Sequence, residues 1–501
     1  MISKRNDWEK ELRHFPLNPK GVPDKLKQRV EEQIAMGATY KRKSKGSAWV
    51  AAAVLLFLAT VLFVQREPIL SFLKQEPKLE PFDGKTERSL KVQWMDGPSF
   101  MSYYGEAFII QHPNMDVETV NSPPYDPQKD RAVQFAEMIE KDKPDLVYVT
   151  IDIYRKLAAE GKLLALDSFV AKEKYDLSGF RDGIVETLRE AGGGTLYGLV
   201  PTFSSNALYY NKTLFDKYGV SYPTDKMSWA DVFRLAQRFP SEGAGDNRIY
   251  GLVPELGSPY GAADAVARTS GLGLTDASGA KMTANTAAWK TIWEFVADGM
   301  KKGWLYEAKP ITGSIAGIDY YKRNPFLTGN AAMMPASSST AEDLIEGKKR
   351  YNLADFTWDI VTEPVDPARP NVSSSLRFDG IYAIPAQSLN ERDAWELLKL
   401  IHSEPIAKKM SNRMGMSARK PAPNETAAYR SDTFGALKPD PDKIAGMGST
   451  ITGALYQGMS GLVNSEIKSA AAGTKTLDAA IESIQQSGQQ LLDQANAANK
   501  P

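Results

Sequence analysis

The sequence predicts an α/β chain of two lobes, held outside a membrane by a single N-terminal helix. Three observations lead there. From Ser89 onward, short apolar strands alternate with amphipathic helices, the rhythm of a mainly parallel sheet covered on both faces. At 501 residues the chain exceeds one ordinary domain, and two lobes of about 150–200 residues with extra segments fit its length. Residues 48–64, AWVAAAVLLFLATVLFV, run 17 positions without a charge.

Composition narrows the function classes. Sixty-one basic and 61 acidic side chains cancel, a balance that gives no reason to expect a nucleic-acid partner. Cysteine is absent, which excludes disulfides, thiolate metal sites, a cysteine nucleophile and a lipidated cysteine as membrane tether.

Residues 1–47 carry 12 Lys/Arg against six Asp/Glu, a net +6, and 22–36 has the spacing of a short amphipathic helix through Val22, Leu26, Val30 and Ile34. The KRKSK cluster just before 48–64 fits the positive-inside rule for a membrane span. A cleavable signal peptide is the rival reading. Against it, the preceding 47 residues are long for an n-region, and Gln65-Arg66-Glu67-Pro68 offers no small-x-small cleavage site. The expectation is a basic cytoplasmic segment at 1–47, an uncleaved transmembrane anchor at 48–64 and a proline-bearing stalk at 65–88, with the remainder extracellular.

Beyond the stalk, strands are expected at 90–95, 115–120 and 145–149, with helices at 100–111, 128–141 and 153–160 between and after them. Open sheets of this kind present ligands at the carboxyl ends of their strands, so the loops after Met95 and Val149 are the first places to look. Extended pieces at 196–202 and 207–210 follow, then a helix at 212–218 stopped by Gly219. Ser228 sits at the N-cap position of a further helix bearing Trp229, Val232, Phe233, Leu235 and Ala236 on one face. A chain leaving one domain and starting another would look like this.

The ordered string YGLVP, LYYNKTLFDKYGVSYPT and SWADVFRLA resembles the central signature of extracellular solute-binding proteins of ABC importers, the maltose-binding class, and the resemblance extends from about Ser89 to the C-terminus. It implies the two-lobed periplasmic-binding-protein fold, in which this stretch is the first of three crossovers forming a hinge. FLTGNAAMM at 326–334 is similar to the second crossover, and RFDGIYAIP at 377–385, followed by a helix at 390–401, to the third. Lobe 1 is then expected to comprise 89–205 and 331–380, and lobe 2 to comprise 206–330 and 381–501. A helix at 285–302 carries Trp289, Ile292, Trp293, Val296 and Met300 on a core-like face, another strand falls at 357–361, and the chain closes with two helices broken at Gly473.

Motifs for catalysis are missing: there is no P-loop, G-x-S-x-G, H-E-x-x-H or EF-hand loop. Gly192-Gly193-Gly194 precedes a strand and reads as a hairpin turn rather than a phosphate cradle. His112 and His402 have no ligand neighbour at metal spacing. The chain is therefore read as a binding protein without cofactor or metal, not an enzyme. Saccharide recognition needs flat apolar faces for C–H surface and planar polar groups for hydroxyls. Trp94 and Asp96 end the first strand, with Tyr103 soon after; Asp152 and Tyr154 follow the strand at 145–149; Phe203 lies at the first crossover, and Arg377 and Asp379 at the third. In the family, the loop after the third strand supplies a sugar-binding carboxylate, which implies that role for Asp152. Each has a structural reading beside it: Trp94 as core filler, Asp152 as helix N-cap, Arg377 and Asp379 as each other's partner. Pro335-Ala336-Ser337-Ser338-Ser339 stand where many sugar binders carry an aromatic platform, a departure that leaves the ligand open.

The resemblance implies a monomeric receptor, tethered to the cell membrane by its N-terminal helix, that hands a small solute such as an oligosaccharide to ABC permease subunits. A receptor that senses or scaffolds without transport is the alternative, suggested by the basic segment at 1–47.

Overall fold

Alternating burial builds the first strand: along β1 (Arg88–Trp94), Leu90, Val92 and Trp94 turn into the core. The structure, a computed structural model, describes residues 81–126, 129–241, 248–309, 317–353, 355–411, 415–420, 429–440 and 453–498. The expected cytoplasmic segment, membrane anchor and the stalk up to residue 80 lie outside the described residues; among those described, no helix is long and apolar enough to cross a membrane.

β1 pairs in parallel with β2 (Met115–Asn121) and β3 (Leu146–Val149). A continuous helical stretch over 97–111 connects β1 to β2 and contains one π turn, Met101–Gly105. Such turns concentrate at functional positions. Thr150 is the residue before helix Ile151–Ala159, and helix Ile184–Ala191 ends at Gly192, with Gly193 and Gly194 at φ +68° and +102°. The glycine run is thus a helix C-terminus rather than the expected hairpin turn; left-handed backbone is what ends the helix there.

The chain then passes through three short strands, β4 (Gly198–Leu199), β5 (Thr202–Ser204) and β6 (Asn206–Asn211). β6 enters a second sheet, ordered β7 (Tyr250–Leu252), β8 (Ala331–Ser337), β6, β9 (Trp358–Thr362). β10 (Arg377–Phe378) leads into β11 (Ile381–Ala383), which returns to the first sheet between β3 and β4 and runs antiparallel to both. Between the two sheets lies a small antiparallel one, β10-β5-β12, where β12 is Met416–Ser417. Gly415, at φ +102°, precedes β12; a Cβ there would stand 2.8 Å from Asp379 Oδ2 and 3.0 Å from the Phe203 carbonyl oxygen. Only glycine lets the hinge strands approach this closely.

The strand pairings correct the expected division of the chain. Residues 331–337 pair with β6 and β7, and 358–362 with β6, so this stretch belongs to the second sheet, whereas 381–383 belongs to the first. The apolar Ala-Ala-Met-Met-Pro face of β8 is buried on both sides, which suits a central strand and not a crossing. The crossings fall instead at β5, at β10 and at β12, giving the hinge its three strands.

Two apolar cores follow. One gathers Trp94, Phe100, Tyr104, Tyr382 and Trp395 with the first sheet; the other gathers Trp229, Phe233, Trp293 and Trp304 around the second-lobe helices. Of the face expected on helix Ala287–Lys302, Trp289, Ile292, Trp293 and Val296 are buried and Met300 is half-buried; Trp289 stacks on Trp293 at 4.8 Å. The terminal helices Gly453–Ala471 and Leu477–Ala498 close this second core; Gln489 and Gln485 bond the Met282 backbone, and Asn464 accepts from Tyr260 N.

Candidate functional site

The eight residues singled out from the sequence do not gather in one place. Trp94 is 3% exposed and packs edgewise on Phe100 and Tyr103 and at a tilt on Tyr148, with ring centroids 5.8–6.0 Å away. Tyr103 rides the π turn, half-buried. Asp96 is exposed at the start of that helix and accepts the Ser99 hydroxyl. Asp152 lies inside the first turn of helix Ile151–Ala159 and pairs with Arg155 at 3.3 Å; the N-cap position itself is Thr150. Tyr154 is fully buried: its hydroxyl donates to Leu188 O at 3.1 Å and accepts from Tyr197 N at 3.0 Å, tying helix Ile184–Ala191 to the segment before β4. Phe203 is buried in the hinge beneath the Arg181 guanidinium, 5.8 Å from the ring.

Arg377 and Asp379 do not form the ion pair that their spacing suggested. Asp379 Oδ1 accepts the Ser204 hydroxyl at 2.7 Å instead; burial pushes its carboxyl up, opposed by Ser204, Thr202 and the Arg377 charge. Asp379 lies past the end of β10, and Arg377, exposed, lines a cavity of about 1100 Å³.

That cavity is where the polar chemistry converges. Its floor is the second sheet: Asn206 opens β6, and Pro335, Ala336 and Ser337 end β8. The Ser374–Arg377 stretch closes it on the hinge side. Helix Pro259–Thr269, capped by Ser258 with Pro259 at its first position, contributes Asp264 and Arg268. Arg268 Nη2 reaches both Glu255 oxygens, at 3.0 and 2.8 Å, and Nη1 reaches Asp264 at 2.8 Å. Asn206 Nδ2 donates to Glu255 Oε1 at 2.8 Å. Burial pushes the Asp264 carboxyl up, with Arg268 opposing; burial lowers Arg268, but Glu255 and Asp264 more than offset this and hold its charge.

Exposed apolar surface borders this polar wall, most prominently at Tyr320 and Leu256. Tyr320, from helix Ile318–Lys322, is 51% exposed, and its hydroxyl donates to Asp343 Oδ2 at 3.0 Å. Burial and then Asp343 push the Tyr320 phenol up to about 12. Leu256, 72% exposed, holds φ +56°, a left-handed conformation unusual for a leucine, and also lines the cavity. Among the described residues no group of His, Asp and Glu could hold a metal ion.

The family model for bacterial extracellular solute-binding proteins matches residues 104–436, well over half of the chain. The chain belongs to that family. Among curated relatives, this solute-binding protein is 24% identical over 214 residues to the sn-glycerol-3-phosphate-binding periplasmic protein UgpB of Brucella abortus, and 23% identical to that of Rhizobium meliloti. Each match takes in 40% of this chain and 46% of the relative, so it spans about half the length of those proteins. Among solved structures, a family 1 extracellular solute-binding protein from Alicyclobacillus acidocaldarius superposes with a TM-score of 0.59 at 16% identity, covering 82% of this chain and 100% of the other. The sugar-binding protein MalE from Xanthomonas citri gives 0.51 at 16% identity, covering 82% and 99%. At these identities the likeness is one of fold: two lobes of mixed helix and sheet.

Of the sequence candidates, only Arg377 lines the cavity of this solute-binding protein. Asn206, Glu255, Asp264, Arg268, Tyr320 and Asp343 escaped sequence reasoning. They are brought together by the pairing of β6 with β8 and by a helix whose role no short motif announces. One signal was available. The serine run that replaces the expected aromatic platform does line the cavity through Ser337 and Ser339, while aromatic rings come from Tyr306, Tyr320 and Tyr456.

Proposed function

We propose that this protein is a membrane-tethered extracellular receptor for a neutral carbohydrate or polyol, which it binds in the 1100 Å³ cavity and delivers to the permease subunits of an ABC transporter. The observation that carries this reading is the make-up of the cavity wall. Hydroxyl, amide, carboxylate and guanidinium groups surround a space bordered by Tyr320 and Leu256, so a ring or chain of hydroxyls would find donors and acceptors while its C–H face meets apolar surface. Charge supports a neutral solute. Glu255, Asp264 and Asp343 are matched in number by Arg268, Arg323 and Arg377, and Arg268 is already engaged by two carboxylates. The relatives named for sn-glycerol-3-phosphate make a phosphorylated polyol the competing ligand. The tether rests on the KRKSK cluster before the uncharged stretch 48–64, and the extracellular location on membership of the family. Binding without turnover accords with that membership.

A thermal-shift screen of the full-length protein tests the reading: maltotriose or D-mannitol should raise the melting temperature by mass action, and sn-glycerol 3-phosphate should not. No shift with any neutral sugar or polyol contradicts it. The basic segment 1–47 favours a second reading, a sensor or scaffold without transport. Permease subunits that co-purify from detergent support delivery, and their absence supports sensing.

A further inference from the structure

We propose that Glu363, which lies outside the cavity lining, is the positioning residue of the binding cavity: it holds the Ser373-Ser374-Ser375 turn and, through that turn, sets the polar wall around Glu255 and Arg268. The proposal rests on the reading of the cavity as the solute site.

Glu363 follows the last residue of β9 and is 5% exposed. A carboxylate so deep is costly unless its lone pairs are filled. Here they are filled by one turn of the chain. Oε1 accepts the Ser373 hydroxyl, Ser374 N at 3.1 Å and Ser375 N at 3.3 Å; Oε2 accepts the Ser374 hydroxyl at 3.2 Å. Burial pushes its carboxyl up, and the hydrogen bonds from this turn and the Arg268 charge oppose that. The turn is closed by Leu376 N donating to Ser373 Oγ at 2.8 Å. Ser374, Ser375, Leu376 and Arg377 then face the cavity, whereas Ser373 and Glu363 lie behind them.

The order passes onward by direct bonds. Ser375 Oγ accepts Asn206 N at 2.7 Å; Asn206 Nδ2 holds Glu255 at 2.8 Å; Glu255 holds Arg268, and Arg268 holds Asp264. Ser374 Oγ also lies 3.1 Å from Thr269 Oγ1, next to Arg268 on the same helix. One buried carboxylate thus anchors a chain of bonds running from the hinge-side turn across β6 to the opposite wall. A carboxyl group buried behind a binding surface and bonded four times by one turn fits positioning better than stability alone, because a packed apolar residue would serve stability as well.

Glu363→Ala and Ser373→Ala test this, with Glu363→Gln as the conservative variant. The glutamine retains an oxygen for the Ser373 hydroxyl and the two backbone N–H groups. The readouts are titration calorimetry with maltotriose and D-mannitol, ligand-free melting, and hydrogen exchange over 203–209, 252–270 and 370–378. The expected result is an affinity loss of about ten- to a hundredfold in both alanine variants, largely restored in Glu363→Gln, with faster exchange in all three segments. Ser373→Ala keeps the test decisive if Glu363→Ala does not fold. Wild-type affinity in the folded alanine variants, or faster exchange confined to 370–378, overturns the proposal. If neither sugar binds the wild type, the functional reading fails, and the exchange pattern alone decides whether Glu363 organises the cavity wall.

Discussion

Arg268 holds Glu255 by both carboxylate oxygens, at 3.0 and 2.8 Å, while its other terminal nitrogen takes Asp264. The three side chains come from a turn and the helix that follows it, and they line the cavity together. Replacing Arg268 by Met strands two carboxylates in a partly desolvated wall. The expected cost is about 2 kcal/mol of unfolding free energy, below that of a fully buried pair because Arg268 is a third exposed. Glu255→Gln, which still accepts from Asn206, should cost about half as much. Urea unfolding of both variants checks the order; Glu255→Gln being the worse of the two contradicts it.

Tyr154 is structural by geometry, its hydroxyl engaged as both donor and acceptor. Tyr154→Phe removes both bonds and leaves Leu188 O and Tyr197 N without them. A loss of about 1–3 kcal/mol in stability is expected with solute affinity unchanged. An affinity loss at unaltered melting temperature would return Tyr154 to the binding site.

Ser228 and Asp231 form a reciprocal capping box at the start of helix Trp229–Ala236. Ser228→Ala should lower unfolding free energy by about 1 kcal/mol. A smaller change in denaturant midpoint would mean that packing of Trp229 and Phe233 holds the helix start without the cap.

His402 ends helix Glu391–Ile401 with its ring 1% exposed and Nδ1 2.7 Å from Leu398 O. Burial lowers its pKa from 6.5 to about 4, Leu398 opposing and Arg419 adding to the fall. A folded-state pKa below the unfolded one means that the contribution is complete above pH about 6.5 and disappears as pH falls toward about 4. Across that window the loss amounts to ~3 kcal/mol. Stability against pH for wild type minus His402→Gln isolates it from Asp264 and Glu363, whose raised values act in the opposite sense. A flat difference curve would contradict the assignment.

Much of the fold was legible because its elements are locally specified. Gly219 stops a helix at φ +61°, Ser228 caps the next, and DLVYV is a buried strand wherever it is placed. Lobe membership was harder to read. The run from Ala331 to Pro335 signals a buried strand but carries no mark of which sheet it joins, so the crossing placed there belongs to β12 instead. The site was less legible still. Carboxyl ends of first-sheet strands drew attention to Trp94 and Asp152, yet the cavity opens on the second sheet. Its charged wall depends on a contact between β6 and a turn 49 residues later, which periodicity does not encode.

The measurement that bears most directly on the account is calorimetric titration of the full-length protein and its Tyr320→Ala variant with maltotriose, D-mannitol and sn-glycerol 3-phosphate. Tyr320 offers a half-exposed ring beside Asp343 in the cavity. Saturable binding of a neutral sugar or polyol by the wild type is expected, weakened about tenfold or more by Tyr320→Ala. No comparable binding of sn-glycerol 3-phosphate is expected. Tight binding of the phosphorylated polyol alone, or neutral-sugar binding that Tyr320→Ala leaves unchanged, would contradict the neutral-solute reading.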